Sequence, residues 1–147
     1  MPIALALLPA FKPLLIFTVL LLLKMSLVGG LTANTRRKSG VVVNPEDTKV
    51  NPGSHAEPQE AAETLRVKRA HQNDLENIPS FLILALIFTL AGGSANGGWA
   101  YFGLFFAART LHSIAYLNGL QPWRTISFFV GLLCQLGLMV QLIMKAL

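Results

Sequence analysis

The stretch RAHQNDLEN, residues 69–77, runs directly into the apolar stretch IPSFLILALIF, residues 78–88. Its composition predicts one helix that carries a dense polar and charged turn into a membrane-spanning segment. Ionisable side chains are costly inside a membrane, so they normally face a bundle interior, a water-filled cavity or a ligand. The junction therefore predicts a polar ligand site at the membrane face.

The whole chain is too apolar for an ordinary water-soluble domain, because 53% of its 147 residues are hydrophobic and 13% are charged. Four stretches approach the roughly 20 residues needed to cross the hydrocarbon core. The first is longer than the apolar region of a cleaved signal peptide, and no convincing small-residue cleavage site follows it. We predict an all-α, integral membrane four-helix bundle, a single domain over residues 1–147 with spans at about 13–33, 75–92, 98–117 and 125–146.

The formal net charge of +5 does not indicate nucleic-acid binding, because the basic residues form no separate basic domain. Most of them fall in the loop at about 34–74, and Arg124 precedes the fourth span. The positive-inside rule then places this loop and the 118–124 connection in the cytoplasm, with both termini on the other side. Cys134 has no cysteine to pair with, which indicates an inert buried thiol.

The connections also carry local signals. We expect the second helix to begin near Pro58 and to project beyond the membrane, since residues 57–69 have helix-forming composition. Glycines between Gly92 and Gly98 predict a tight turn before the third span. Gly119 is expected to stop the third helix, and Pro122 suits the start of the fourth.

Arg66, Arg69, Asn73 and Glu76 follow helical spacings of three, four and three residues, so they share one stripe of the second helix. Their guanidinium, amide and carboxylate groups complement the carboxylates, peptide groups and ammonium of a short peptide. An internal network that holds helices together is the alternative, and the residues alone leave both open.

The third span repeats this pattern, because Arg109, His112 and Tyr116 stand three and four residues apart on one face. A satisfied buried histidine and an interfacial tyrosine are the alternatives. Arg109 must reach the membrane surface or meet a carboxylate such as Asp74 or Glu76. Lys24, in the first span, should likewise face the bundle, although its partner cannot be identified from the sequence.

Arg124 and Thr125 are expected in the first turn of the fourth helix. A helix N-terminus favours an anion, and a nearby cation lowers the pKa of a thiol, so an anionic sulfur suits this place. The alternative is that Arg124 only sets the membrane topology. We predict no metal site.

RAHQNDLEN at 69–77, together with NPED at 44–47 and ARTLHSIAY at 108–116, closely resembles the family of membrane-associated proteins in eicosanoid and glutathione metabolism, MAPEG. The resemblance spans essentially the whole chain and is closest to the microsomal glutathione transferase and prostaglandin E synthase branch. In that branch four-helix subunits form homotrimers that bind glutathione between neighbouring subunits.

The resemblance implies that Arg124, with Thr125, stabilises the glutathione thiolate. It implies that Asp47, Lys24 and Arg109 support the site, and that glutathione is held by Arg36, Arg69, Gln72, Asn73, Glu76, His112 and Tyr116. Gln72 departs from the synthases, which typically carry arginine there, and this favours the transferase. Thr125 stands where the synthase has a serine, and Phe128 stands where it has a tyrosine. Pro79 lies one residue before the position at which both relatives usually have a proline.

The expected function is that of a membrane-bound glutathione transferase that conjugates glutathione to hydrophobic electrophiles, with a glutathione peroxidase activity on lipid hydroperoxides in addition. The alternatives are a glutathione-dependent prostaglandin E synthase and a non-catalytic lipid-binding scaffold of the same fold. The expected partners are glutathione, a hydrophobic substrate, membrane lipid and two further copies of the chain. The location is the endoplasmic reticulum in a eukaryote or the cytoplasmic membrane in a bacterium.

Overall fold

The computed structural model describes residues 5–147, so the first four residues of the predicted domain lie outside it. Two-residue strands, β1 and β2, pair in parallel within the long first loop, where Pro45–Lys49 forms a 3₁₀ turn. The predicted all-α four-helix architecture is confirmed, and the β pair is a small addition to it. The elements are α1 Phe11–Ser39, β1 Val41–Val42, β2 His55–Ala56, α2 Ala62–Leu90, α3 Ala95–Leu117 and α4 Trp123–Ala146.

Three helices, α1, α2 and α4, are long and apolar enough to cross a membrane. The 23-residue α3 is not among these three helices, and it carries Arg109, His112 and Ser113, all of them buried. That α3 crosses the membrane stays a prediction. The three apolar helices expose many large hydrophobic side chains, which suits contact with lipid or with another subunit; examples are Leu15, Val19, Leu27, Ile83, Leu133, Val140 and Ile143.

The two middle helices form the centre of the bundle. α2 packs against α1, α3 and α4, and α3 also packs against α1 and α4. Buried aromatic rings fill the α2–α3 contact: Phe81 and Phe105 stack with their centroids 3.6 Å apart, and Phe102 meets Phe81 edge-on at 5.9 Å. Cys134 belongs to the same core and is 3% exposed, which confirms the buried thiol.

The connection from α1 to α2 is closed by an ionic cluster around Glu60. Arg36 Nε donates a hydrogen bond to Glu60 Oε1 at 2.6 Å, and Arg36 Nη2 contacts the same oxygen. Lys68 Nζ lies 3.0 Å from Glu60 Oε2.

Helix α2 begins at Ala62 and not near Pro58, as the sequence had predicted. The reason is that Ala61 is extended, with ψ of 145°, and Glu60 is buried.

The two shorter connections agree with the sequence only in part. α3 begins at Ala95, because the hydroxyl of Ser94 accepts the N–H of Gly97 at 3.1 Å and caps the helix. The expected break up to Gly98 was therefore too long. Gly119 has a φ of 69° just after α3, as expected of a helix stop, and Pro122 directly precedes α4.

Substituting Glu60→Gln should test whether the cluster stabilises the fold. Burial tends to raise the pKa of Glu60, but hydrogen bonds from Arg36 and Lys68 outweigh it and hold this pKa below its ordinary value. The ionic stabilisation is then complete above the unfolded-state pKa of about 4.3 and is lost as the pH falls through the lower folded-state pKa.

We expect the substitution to cost about 1–2 kcal/mol at neutral pH, since Arg36 and Lys68 are partly exposed to solvent. Thermal midpoints in detergent, measured from neutral to acid pH, check this, with the exposed Glu63→Gln as control. A deficit that does not shrink in acid would contradict the assignment.

Candidate functional site

A buried carboxylate lies at the meeting point of three helices. Asp74 of α2 is fully buried, and Lys24 Nζ of α1 lies 2.5 Å from its Oδ1 and 2.6 Å from its Oδ2. Arg109 Nη2 of α3 donates to Oδ1 at 3.0 Å, and Ser113 adds a hydroxyl to the cluster. The network answers two open questions, because it gives Lys24 its partner and selects Asp74 over Glu76 for Arg109.

Asp74 was missed as a site residue, although the sequence holds a signal for it. It follows Val67 and Ala70 and precedes Ile78 and Phe81, at spacings of three and four residues. All four apolar residues are buried on one face of α2. A carboxylate within such a face requires cations from other helices, and Lys24 and Arg109 supply them.

Arg109 also reaches a predicted ligand-binding residue. Its Nη2 donates to Oδ1 of Asn73, which is half-buried beside Asp74. An amide has one acceptor oxygen and two N–H donors. Since Arg109 takes the oxygen, the donors of Asn73 are left for a group that accepts hydrogen bonds, such as a carbonyl or a carboxylate.

The rest of the α2 stripe faces outward. Arg66, Arg69 and Glu76 are exposed, and the neighbouring Gln72 donates from its Nε2 to Glu76 Oε1 at 3.1 Å. The charged turn at residues 69–77 therefore has two parts. Asp74 lies inside the bundle, whereas the stripe lies on its outer surface. The stripe is placed where a ligand could reach it.

His112 and Tyr116 connect α3 to the start of α4. His112 Nδ1 lies 2.9 Å from the carbonyl oxygen of Arg124, and because a carbonyl only accepts, Nδ1 donates. Nε2 of the same ring is buried and has no hydrogen-bond partner among residues 5–147. The rings of His112 and Tyr116 lie 5.8 Å apart. The predicted shared face of α3 is present.

Arg124 is half-buried in the first turn of α4, as expected. The carbon of its guanidinium lies 4.8 Å from the centroid of the Tyr116 ring. With the Gln121 amide oriented to suit both neighbours, its oxygen accepts from Arg124 Nη2 at 2.7 Å and Nε at 3.1 Å, and its nitrogen donates to Thr125 Oγ1 at 3.1 Å. Gln121 thus links the two residues predicted for thiolate stabilisation.

The backbone N–H of Arg124 is already paired, because it donates to the carbonyl of Leu120 at 3.2 Å. The group of Arg124 that can meet an anion is therefore its guanidinium. Thr125 is exposed, so its hydroxyl can be reached from outside.

The two halves of the site lie at the same end of the bundle. A methyl group added at Gly119, in the α3–α4 connection, would come within 2.8 Å of Arg66 Nη1 at the start of α2. The α2 stripe and the Arg124 turn are therefore neighbouring parts of one polar end.

Two further predicted residues are Arg36, in the last turn of α1, and Asp47, in the first loop. Arg36 is paired with Glu60, a contact that the sequence analysis did not foresee. Asp47 lies in the 3₁₀ turn and accepts a long hydrogen bond of 3.4 Å from Asn44 Nδ2. Over the described chain, residues 5–147, no group of three or more His, Cys, Asp and Glu side chains could hold a metal ion.

Comparison with known proteins gives consistent matches. A model described as the MAPEG family matches residues 14–144. The microsomal glutathione S-transferase 1 of Homo sapiens is 41% identical over 119 residues, 78% of this chain and 77% of that protein. The prostaglandin E synthase of Homo sapiens is 30% identical over 142 residues, 94% of this chain and 91% of that protein.

Replacing Asp74 should damage the fold far more than replacing its exposed neighbour Glu76. Asp74→Asn leaves Lys24 and Arg109 buried around a neutral amide, and breaking a buried ion pair costs about 3–5 kcal/mol. Glu76→Gln should change stability by about 0.5 kcal/mol or less. Thermal unfolding in detergent checks this, and equal midpoints for the two variants would refute the role given to Asp74.

Proposed function

Because the chain belongs to the MAPEG family, we propose that it is a membrane-bound glutathione transferase that conjugates glutathione to hydrophobic electrophiles. A glutathione peroxidase activity is proposed as well, in which two glutathione thiols reduce a lipid hydroperoxide to its alcohol and water and leave as glutathione disulfide. Glutathione enters from the cytoplasmic side, and the hydrophobic substrate arrives through the bilayer.

The environment of Arg124 is the observation that carries this proposal. Its guanidinium is fixed between the Tyr116 ring and the Gln121 amide, and the Thr125 hydroxyl lies on the same turn. A fixed cation beside a thiol favours loss of the thiol proton to water, because it stabilises the thiolate. The sulfur then forms a bond to the electrophilic carbon, and the leaving group departs with its electron pair.

The α2 stripe is proposed to hold the peptide. Asn73 offers two N–H donors to a carbonyl or carboxylate, since Arg109 occupies its oxygen. Arg69 suits a carboxylate, and Glu76, with Gln72 beside it, suits the ammonium group of glutathione. Holding both ends of the tripeptide would keep its sulfur at one position for reaction.

His112 is proposed as a positioning residue. Its bond to the Arg124 carbonyl ties the first turn of α4 to α3, so it fixes the place from which the guanidinium extends. Tyr116 then limits the directions that the guanidinium can take.

A homotrimer is proposed to complete the site. Arg69, Gln72 and Glu76 are exposed in the single chain, although glutathione binding needs groups on more than one side of the peptide. A neighbouring subunit packed against the polar end of the bundle would supply contacts to the other side of the peptide. The exposed apolar faces of α1, α2 and α4 provide surface for such packing.

A glutathione-dependent prostaglandin E synthase is the second candidate. The relative of that name is similar over 94% of the chain, a wider match than the 78% of the transferase, but at lower identity. Gln72, where the synthases typically carry arginine, favours the transferase. We expect purified protein to conjugate a generic aryl halide faster than it isomerises an endoperoxide. The reverse order would favour the synthase.

Arg124→Ala should lower the rate of conjugation by about 10²–10³-fold, the usual effect of removing one group that stabilises developing negative charge. Ultraviolet absorbance of the thiolate on adding glutathione should fall with it. Arg37→Ala is the matched control, because Arg37 is exposed and outside the proposed site. If both variants keep the wild-type rate and thiolate signal, Arg124 has no role in the chemistry.

Wild-type protein that is folded but gives neither thiolate signal nor turnover would overturn the proposal. That result would favour the non-catalytic scaffold of the same fold.

A further inference from the structure

We propose that Glu60 is a positioning residue that holds Arg36 ready for the carboxylate of glutathione. The inference rests on the proposed function, because it needs glutathione as the ligand and Arg36 as one of its contacts. Position 60 lies outside the three motifs, at 44–47, 69–77 and 108–116, that carry the family resemblance.

The direction of the ion pair supports this role. The Glu60 side chain is 2% exposed, whereas that of Arg36 is 31% exposed. The carboxylate therefore lies inside, and the guanidinium reaches from it toward the surface. A surface ion pair that merely neutralised a charge would have both groups in water.

The hydrogen bonds show which part of Arg36 remains available. A guanidinium has five N–H donors. Glu60 Oε1 takes one from Nε and one from Nη2. One N–H of Nη1 and the second N–H of Nη2 run side by side on another edge, and this pair has the fork geometry that binds a carboxylate with two hydrogen bonds.

Lys68 adds a second cation to the same carboxylate. Its ammonium lies 3.0 Å from Glu60 Oε2 and is half exposed. Arg36 comes from the end of α1 and Lys68 from α2, next to Arg69 in sequence. Glu60 allows these like charges to approach, and the trio keeps a net charge of +1, which suits one further carboxylate.

The kinetic test is Glu60→Gln, which keeps the shape of the side chain and removes its charge. Without the Glu60 charge the Arg36 side chain is less ordered, and this should raise the KM for glutathione about 3- to 10-fold. The kcat at saturating glutathione should change much less, because Arg124 is untouched. Glu63→Gln, an exposed acidic residue in the first turn of α2, is the control and should keep both constants.

A further variant separates positioning from general stabilisation. Glu60→Asp keeps the charge of the carboxylate but shortens its reach to Arg36, so it should give a KM for glutathione between those of wild type and Glu60→Gln.

The outcomes distinguish the two proposals. If wild-type protein neither binds nor turns over glutathione, the proposed function fails. If wild type is active and folded Glu60→Gln or Glu60→Asp keeps the wild-type KM for glutathione, only the positioning role is overturned.

Discussion

A carboxylate with no access to water remains charged in an apolar bundle only where cations surround it. Asp74 meets this condition through Lys24 of α1 and Arg109 of α3. Aromatic packing such as the Phe81–Phe105 stack could tolerate small rotations of α2, but directional ionic hydrogen bonds tolerate far less. The ionic centre therefore fixes the rotation of α2 relative to its two neighbours.

That rotation decides which polar groups remain outside. With Asp74 turned inward, Asn73 lies at the edge of the bundle, and Gln72 and Glu76 lie on its surface. Arg109 links the buried and the outer residues, because its Nη2 donates hydrogen bonds to both Asp74 and Asn73. A group buried for structural reasons thus also determines how the outer polar surface is presented.

The sequence predicted the helices and the members of the site better than it predicted their contacts. Apolar stretches and Gly119 located the helices, because hydropathy and backbone conformation are local properties. The partners of Lys24 and Arg36 could not be read, since Asp74 and Glu60 lie on another helix or before it, 50 and 24 residues away. Local patterns do not encode such distant pairings.

Helix ends were predicted less well where the start of a helix depends on one residue and not on the composition of the stretch. The stretch around Pro58 has helix-forming composition, but burial of Glu60 and an extended Ala61 delay α2. At α3 the Ser94 cap starts the helix within a glycine-rich stretch that composition alone assigns to a turn. Both departures arise from single hydrogen-bonding groups.

The parallel pairing of β1 with β2 has a consequence for how this protein can vary in evolution. It clamps residues 41–42 to 55–56, so the chain between them leaves and returns at one fixed place. The entropy of closing such a loop changes slowly with its length. A change in the length of the chain between residues 43 and 54 should therefore cost little stability as long as the strand pair holds the two ends of this loop together.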